Sequence, residues 1–338
     1  MSKLRFGILS TGNIARQFAS GVVGGSDRVE VAAVASRSAG SAKQFADAHG
    51  VPKHHAGYDA LLADPGIDAV YNALPNSLHA EWTLKALGAG KHVLCEKPLA
   101  MDEAQAREMF DGAKRASRLI AEAFMYRCHP QTRAVVQAIR DGAIGEVKLI
   151  RTSFCYRTKK IDGNVRFDKQ LGGGALMDIG CYCVDFTRLI VGEDPTSIQA
   201  VGRLHPSGVD VAASGVLAYP SGVAATFSCG MDTQASNLAQ VCGTEGYIEV
   251  PVPWKPTPGS ARWRLRKMTP PKQDGDKQPA DPMDETIQSE TDTPLYALES
   301  DAFAQAVLDG AEPFMPEADS LSNAAVLDEL RRQVGVVW

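Results

Sequence analysis

No run of about 18 consecutive apolar residues occurs in the chain, so no membrane-spanning helix is expected. Basic charge is not in excess. Lys and Arg number 35 against 40 Asp and Glu, a net charge of −5. That balance argues against a nucleic-acid surface, which is normally basic. A cysteine framework is also missing. Seven cysteines lie scattered through apolar stretches, and only Cys181 and Cys183 are near neighbours. Cys-x-Cys alone is not a zinc pattern, and no metal site is expected. Reduced core thiols point to a cytoplasmic protein. The first residues run straight into a strand with no signal-peptide pattern. No internal repeat is present. The length of 338 residues suggests two domains, each able to bury its own core.

Two further absences bear on chemistry. Residues 4–9 form a short apolar run, followed by Ser10-Thr11-Gly12-Asn13-Ile14-Ala15 and a helical pattern through Phe18 and Val22. Strand, tight turn and helix is the setting for a dinucleotide loop with the spacing G-x-G-x-x-G. Only Gly12 is kept; Ser10 and Ala15 stand for the other glycines. Gly12 is where the backbone must approach a pyrophosphate most closely. The second strand, 29–35, ends in Ser36-Arg37-Ser38, where NAD enzymes carry an acid for the ribose 2′-OH. No acid is there. A cation flanked by two hydroxyls suits a 2′-phosphate, so NADP is favoured over NAD.

Strands at 68–74, 92–96 and 118–123 alternate with helical stretches, which predicts a parallel sheet covered on both faces. Asp102 with Gln105 resembles a capping box. Ala106, Met109, Phe110 and Ala113 follow at the spacing of one buried helix face. The strand at 92–96 runs into Glu96-Lys97-Pro98. Proline holds Lys97 in extended backbone at a strand end, where open α/β sheets bind ligands. After a helix at 134–140, residues 146–157, 197–205, 209–219, 222–229, 238–242 and 246–250 read as strands. Short turns between them indicate an antiparallel sheet with one face available for packing. Residues 251–293, rich in Pro, Lys, Asp and Gln, are expected to form an extended surface loop. Helices at 294–309 and 318–334 close the chain. Within the second half lies Gly172-Gly173-Gly174-Ala175-Leu176-Met177-Asp178-Ile179-Gly180-Cys181-Tyr182. A helix starting there carries Asp178, Tyr182 and Asp185 on one face. The phenol is either a buried core residue satisfied by Asp178 or an acid/base group.

Taken together, these stretches resemble the glucose–fructose oxidoreductase / inositol dehydrogenase superfamily over almost the whole chain. The resemblance rests on the Gly12 loop, Pro75-Asn76-x-x-His79, Glu96-Lys97-Pro98 and the triple-glycine stretch through Tyr182. More narrowly, Glu122-Ala123-Phe124-Met125-Tyr126-Arg127-x-His129-Pro130, Tyr182 and Gly208-Val209-Asp210 are similar to the dimeric dihydrodiol dehydrogenase and NADP-dependent D-xylose dehydrogenase branch. The resemblance implies an α/β protein. Residues 1–123 would form an N-terminal Rossmann domain that binds the dinucleotide. Residues 124–338 would form a C-terminal α/β domain with an open, mostly antiparallel sheet for substrate binding and dimerisation. Lys97 and Tyr182 would be the catalytic pair, with Asp178 orienting them. Ser10, Gly12, Asn13, Ile14, Ser36, Arg37, Ser38, Leu74, Asn76, His79, Glu96, Lys97 and Arg127 would contact the cofactor. Arg127, His129, Asp178 and Arg203 would join the catalytic pair in the substrate cleft.

The implied activity is hydride transfer between NADP and a sugar or a diol in a homodimer, with no nucleic acid or membrane as partner. A phenol of pKa about 10 is a poor base at neutral pH, and a nearby lysine cation lowers that value. The same chemistry run backwards would reduce a dicarbonyl sugar such as 1,5-anhydrofructose. A non-catalytic dinucleotide-binding regulator on the same fold would not need both Lys97 and Tyr182.

Overall fold

A computed structural model describes residues 3–267 and 283–336. The described residues fall into two compact units. One comprises the chain up to Cys128, Gln170–Gly172 and Thr293–Ala325; the other comprises His129–Lys169, Gly173–Asp292 and the residues from Val326 onward.

In the first unit six strands form one parallel sheet. They are β1 (Leu4–Leu9), β2 (Val29–Ser36), β3 (Lys53–Ala56), β4 (Ala69–Asn72), β5 (His92–Glu96) and β6 (Ile120–Ala123). Their order is β3-β2-β1-β4-β5-β6, so the topology reverses between β1 and β4. Helices α1 (Asn13–Val22), α2 (Ala39–His49), α3 (Tyr58–Leu62), α4 (His79–Gly88) and α5 (Glu103–Ala116) lie between the strands. β4 and β6 are buried throughout and β1 nearly so, the pattern of a sheet covered on both faces. Phe18 of α1 stacks on Tyr71 at 3.8 Å, and Phe6 sits 5.6 Å from Phe303 of the helix Leu295–Asp309. Removing the Phe18 ring would cost about 3–5 kcal/mol. Asp102 caps α5 through the Gln105 N–H at 2.8 Å, and the four expected residues form its buried face. β3 and α3 escape the sequence reading because Lys-His-His-Ala is an exposed edge strand with no apolar alternation.

The second unit holds an eight-stranded sheet. Its strands are β7 (Val147–Cys155), β8 (Ser197–Leu204), β9 (Asp210–Ala218), β10 (Ala224–Gly230), β11 (Leu238–Gly243), β12 (Gly246–Val250), β13 (Arg262–Lys267) and β14 (Met283–Gln288). The order is β14-β13-β12-β11-β7-β10-β9-β8, antiparallel except where β7 meets β10. Helices α6 (Pro130–Arg140) and α7 (Cys181–Val191) belong to this unit, and α7 packs on β7 and β10. The edge strand β8 is covered by Gln333, which accepts from the Ala200 N–H at 2.7 Å and donates to the Ile198 carbonyl at 2.8 Å. Such cover protects an open edge from pairing with another chain.

The structure corrects the expected 251–293 loop: β13 and β14 extend the sheet from within it. Trp263 and Leu265 are buried and alternate with the exposed Arg262 and Arg264, a period-two pattern hidden by the charge of its outward face. Residues 268–282 lie outside the described part.

Candidate active site

The carboxyl ends of β1, β2, β4 and β5 carry most of the expected cofactor residues. After β1, Ser10 adopts φ 122°, the conformation the missing glycine would supply freely. For serine this costs on the order of 1–3 kcal/mol. Its Oγ accepts the Gly12 N–H at 3.0 Å, so the hydroxyl braces its own loop. α1 then begins at Asn13 and Ile14 with no side-chain cap. Uncapped N–H groups at a helix N-terminus make a site for an anion such as a pyrophosphate. After β2, the Ser36 Oγ accepts the Ser38 N–H, and the Ser38 Oγ caps α2 on the Ser41 N–H. Arg37 between them is exposed, and its charge acts on the phenol of Tyr58. Tyr58 meets Trp82 edge-on at 4.9 Å. The sequence reading missed Tyr58, which no motif marks. After β4, Asn76 donates to the Gly172 carbonyl at 2.8 Å, and Leu74 is buried.

Beyond β5 the turn at Lys97-Pro98-Leu99 is held at every residue by a different buried side chain. The Lys97 N–H donates to Glu96 Oε2 at 3.2 Å. The Pro98 carbonyl lies 2.9 Å from His79 Nδ1. The Leu99 N–H donates to Glu122 Oε1 at 2.9 Å. Behind them the Tyr71 hydroxyl donates to Glu96 Oε1, and burial pushes that phenol well above its usual range. Lys97, half-buried, therefore leaves the sheet from a preorganised backbone.

Two of the residues expected at the cofactor, His79 and Glu96, are buried, and their side chains hold this turn. His79 bridges the Pro98 and Leu74 carbonyls, with Nε2 2.8 Å from the latter. Burial holds its pKa below the usual value.

In the second unit, the triple-glycine turn opens the helix carrying Asp178 and Tyr182. A Cβ on Gly173 would strike the Arg166 and Asp168 carbonyls. Residues Leu176–Gly180 form a wide π turn before regular α7 begins at Cys181. The even i, i+4 spacing assumed for Asp178 and Tyr182 is therefore interrupted. Asp178 Oδ2 accepts from the Tyr156 hydroxyl at 2.5 Å and from Arg166 Nε at 2.8 Å. Burial, then the charge of Asp178, pushes the Tyr156 phenol far up, so it remains a donor. Neither Tyr156 nor Arg166 was found from sequence; they reach Asp178 from the stretch that follows β7, where no local spacing points to a helix. The Tyr182 ring is 2% exposed and packs against Phe154 at 5.4 Å and Trp254 at 5.9 Å.

The other expected substrate residues have structural partners. Arg127 is buried in an ion pair with Asp319 at 2.7 Å. His129, also buried, caps α6 by accepting the Gln131 N–H at Nδ1. Arg203 is exposed on β8 and pairs with both oxygens of Asp232, at 2.7 and 3.1 Å. Among the described residues no cluster of metal-ligating side chains occurs, and no helix is long and apolar enough to cross a membrane.

Comparison with known proteins agrees with this architecture. Residues 4–124 match a family model described as an oxidoreductase family with an NAD-binding Rossmann fold, and residues 132–249 match the GFO/IDH/MocA C-terminal domain. The chain is 36% identical to a trans-1,2-dihydrobenzene-1,2-diol dehydrogenase of Xenopus tropicalis, covering 99% of both chains. It is 34% identical to D-xylose 1-dehydrogenase (NADP(+)) 2 of Haloferax volcanii, covering 97% of this chain and 96% of the relative. Among solved structures, the 3-ketoreductase KijD10 from Actinomadura kijaniata, in complex with NADP and TDP-benzene, superposes with a TM-score of 0.84. It is 33% identical, covering 98% of each chain.

Proposed function

This chain belongs to the GFO/IDH/MocA family of oxidoreductases, and from that premise we propose that it transfers hydride between NADP(H) and a sugar or sugar-like diol. The observation that carries the reading is the single sheet edge shared by the uncapped α1, the Ser36-Arg37-Ser38 turn and Lys97. The α1 N-terminus suits the pyrophosphate, and Arg37 suits a 2′-phosphate. The nicotinamide supplies the hydride chemistry. Tyr182 takes the hydroxyl proton in oxidation and returns it in reduction. The ammonium of Lys97 favours the phenolate. Asp178, held by Tyr156 and Arg166, orients the reacting hydroxyl. Both dehydrogenases and a ketoreductase stand among the relatives, so a screen of sugars and diols runs in both directions, with NADP+ and with NADPH. Binding constants for NADPH and NADH decide the cofactor. NADPH is expected to bind about 10-fold tighter or more, and Arg37→Ala to remove most of that preference. Equal affinity in the parent chain sinks the cofactor reading.

The same proposal includes a homodimer formed through the open sheet face and a cytoplasmic location, the latter supported by cysteines scattered through apolar stretches with no framework spacing. Val201 of β8 and Val216 of β9 are 74% and 44% exposed. Gln199 pairs with Val216, so these valines point to one face. Exposed apolar groups on a sheet face favour burial against a partner. Light scattering at micromolar concentration is expected to give twice the chain mass, and Val201→Lys to shift it toward the monomer. A monomeric parent chain rules the dimer out.

A further inference from the structure

Asp210 opens β9 and is completely buried. Its Oδ2 accepts the Leu176 N–H at 2.7 Å, and the Ala175 N–H also serves the carboxylate. Oδ1 has no hydrogen-bond partner among the described residues. That oxygen occupies the space a Cβ on Gly174 would need, and Gly174 has φ 123°, which only glycine adopts at ease. Residues 174–176 are thus moulded on one carboxylate. The Asp178 N–H then donates to the Gly174 carbonyl at 2.9 Å, so the next turn is built on the first. An ionised carboxylate in the interior with an unpartnered oxygen opposes folding. A neutral residue would cap the turn at less cost, so stability alone does not account for Asp210.

We propose that Asp210 is a positioning residue for the reaction: its carboxylate fixes where the wide turn begins, and so where Asp178 and the Tyr182 phenol stand. This rests on the reading of Tyr182 as the proton-transfer group. Burial pushes the Asp210 carboxyl up to about 6. The charged and titratable groups facing it among the described residues are Arg331 of the closing helix and Cys229 of β10. Arg331 keeps its charge, and burial followed by the charge of Asp210 holds the Cys229 thiol well above its usual range. Neither titrates between about pH 5 and 8, so neither is expected to mask an acid limb that Asp210 would give near pH 6. Its folded-state value is raised. The folded chain therefore holds the extra proton between 3.8 and about 6, and stability from this group falls as pH rises through that window. Activity moves the opposite way, because the charged acceptor grips the two N–H groups more strongly.

The test uses Asp210→Asn in the full chain, with NADP+ and D-xylose or trans-1,2-dihydrobenzene-1,2-diol as probe, whichever the parent turns over. The variant is expected to lose about 10-fold or more in kcat. Its NADPH affinity stays within about twofold, its Tm at pH 7.5 is undiminished, and the acid limb near pH 6 disappears. A folded variant with parental kcat and an intact acid limb overturns the proposal. A second measurement needs no variant. Hydrogen exchange across 174–182, corrected for its intrinsic pH dependence, is expected to be faster in the parent at pH 5 than at pH 7.5. Equal protection at both overturns the proposal even if Asp210→Asn does not fold. Tyr182→Phe separates the two readings. Parental turnover in Tyr182→Phe with responsive exchange refutes the role of Tyr182; an inactive Tyr182→Phe with flat exchange refutes the role of Asp210.

Discussion

The turn that carries Lys97 and the turn that opens the Tyr182 helix are fixed in opposite ways. In the first unit, three consecutive residues are each gripped by a separate buried side chain: Glu96 from β5, His79 from α4 and Glu122 from β6. In the second, one carboxylate, Asp210, receives the N–H groups of two successive residues. The geometry of each element explains the difference. Neighbouring parallel strands end side by side, so several elements supply a side chain to one turn. The first N–H groups of a helix point the same way, so a single acceptor reaches more than one. The first arrangement is redundant and the second is not. A lost contact is therefore buffered at Lys97 and transmitted at Asp178 and Tyr182.

The largest expected effect lies where the comparison must collapse. However differently the two residues are supported, Lys97 and Tyr182 are proposed to act as one acid/base unit. Tyr182→Phe removes only the hydroxyl, and Lys97→Met removes the charge at similar length. Each is expected to lower turnover by about 10²-fold or more, with NADPH binding preserved in Tyr182→Phe. The double variant should be little worse than either single. Multiplicative losses would assign the two residues independent roles. Full activity in Tyr182→Phe would leave the tyrosine as the packed aromatic that its contacts with Phe154 and Trp254 also describe.

Redundancy itself is tested at His79. Both of its ring nitrogens face carbonyl oxygens, yet a neutral imidazole has one N–H to give. Burial lowers its pKa, so its contribution to stability is complete above the ordinary value of 6.5 and is lost as pH falls below it. His79→Ala leaves the carbonyls without this donor and should cost about 1–3 kcal/mol, a fall of roughly 2–4 °C in Tm per kcal/mol. With Glu96 and Glu122 still in place, kcat should fall only a few-fold. The opposite result, a large loss of kcat at unchanged Tm, would mean that His79 alone places Lys97.

The same contrast decides how much the sequence discloses. The parallel sheet is legible because every strand but the edge strand β3 is a short apolar run, and four strand ends are marked: Gly12, Ser36-Arg37-Ser38, Asn76, Lys97-Pro98. The role of His79 is not legible. A histidine three residues beyond Asn76 suggests a ligand contact, whereas it is 0% exposed and turned onto carbonyls. One of its partners, the Pro98 carbonyl, lies 19 residues away beyond the next strand. Likewise Tyr156 and Arg166 reach the triple-glycine helix from the stretch after β7 and Asp210 from β9, and local spacing carries no record of that meeting. β13 was missed for a different reason. Its outward face is arginine, and the charge masks the alternation of Trp263 and Leu265.

The smallest effect concerns Glu299, on the helix Leu295–Asp309 of the first unit. It is 0% exposed, and neither carboxyl oxygen has a hydrogen-bond partner among the described residues. Burial, then the charge of Glu96, pushes its pKa well above the usual carboxylate range. The folded chain therefore keeps a proton there that the unfolded chain releases above about 4.5. By linkage, stability from this group is full below that value and declines as pH rises beyond it. Glu299→Gln removes the titration. Its Tm advantage over the parent should be near zero at pH 4.5 and grow to a few degrees by pH 8, with kcat unchanged. A Tm gap that does not widen with pH would mean the carboxyl does not retain its proton. Set beside Asp210→Asn, the result isolates what a buried acid is for. Both substitutions relieve the interior of a costly group, and only the one that touches a turn of the reaction helix should slow turnover.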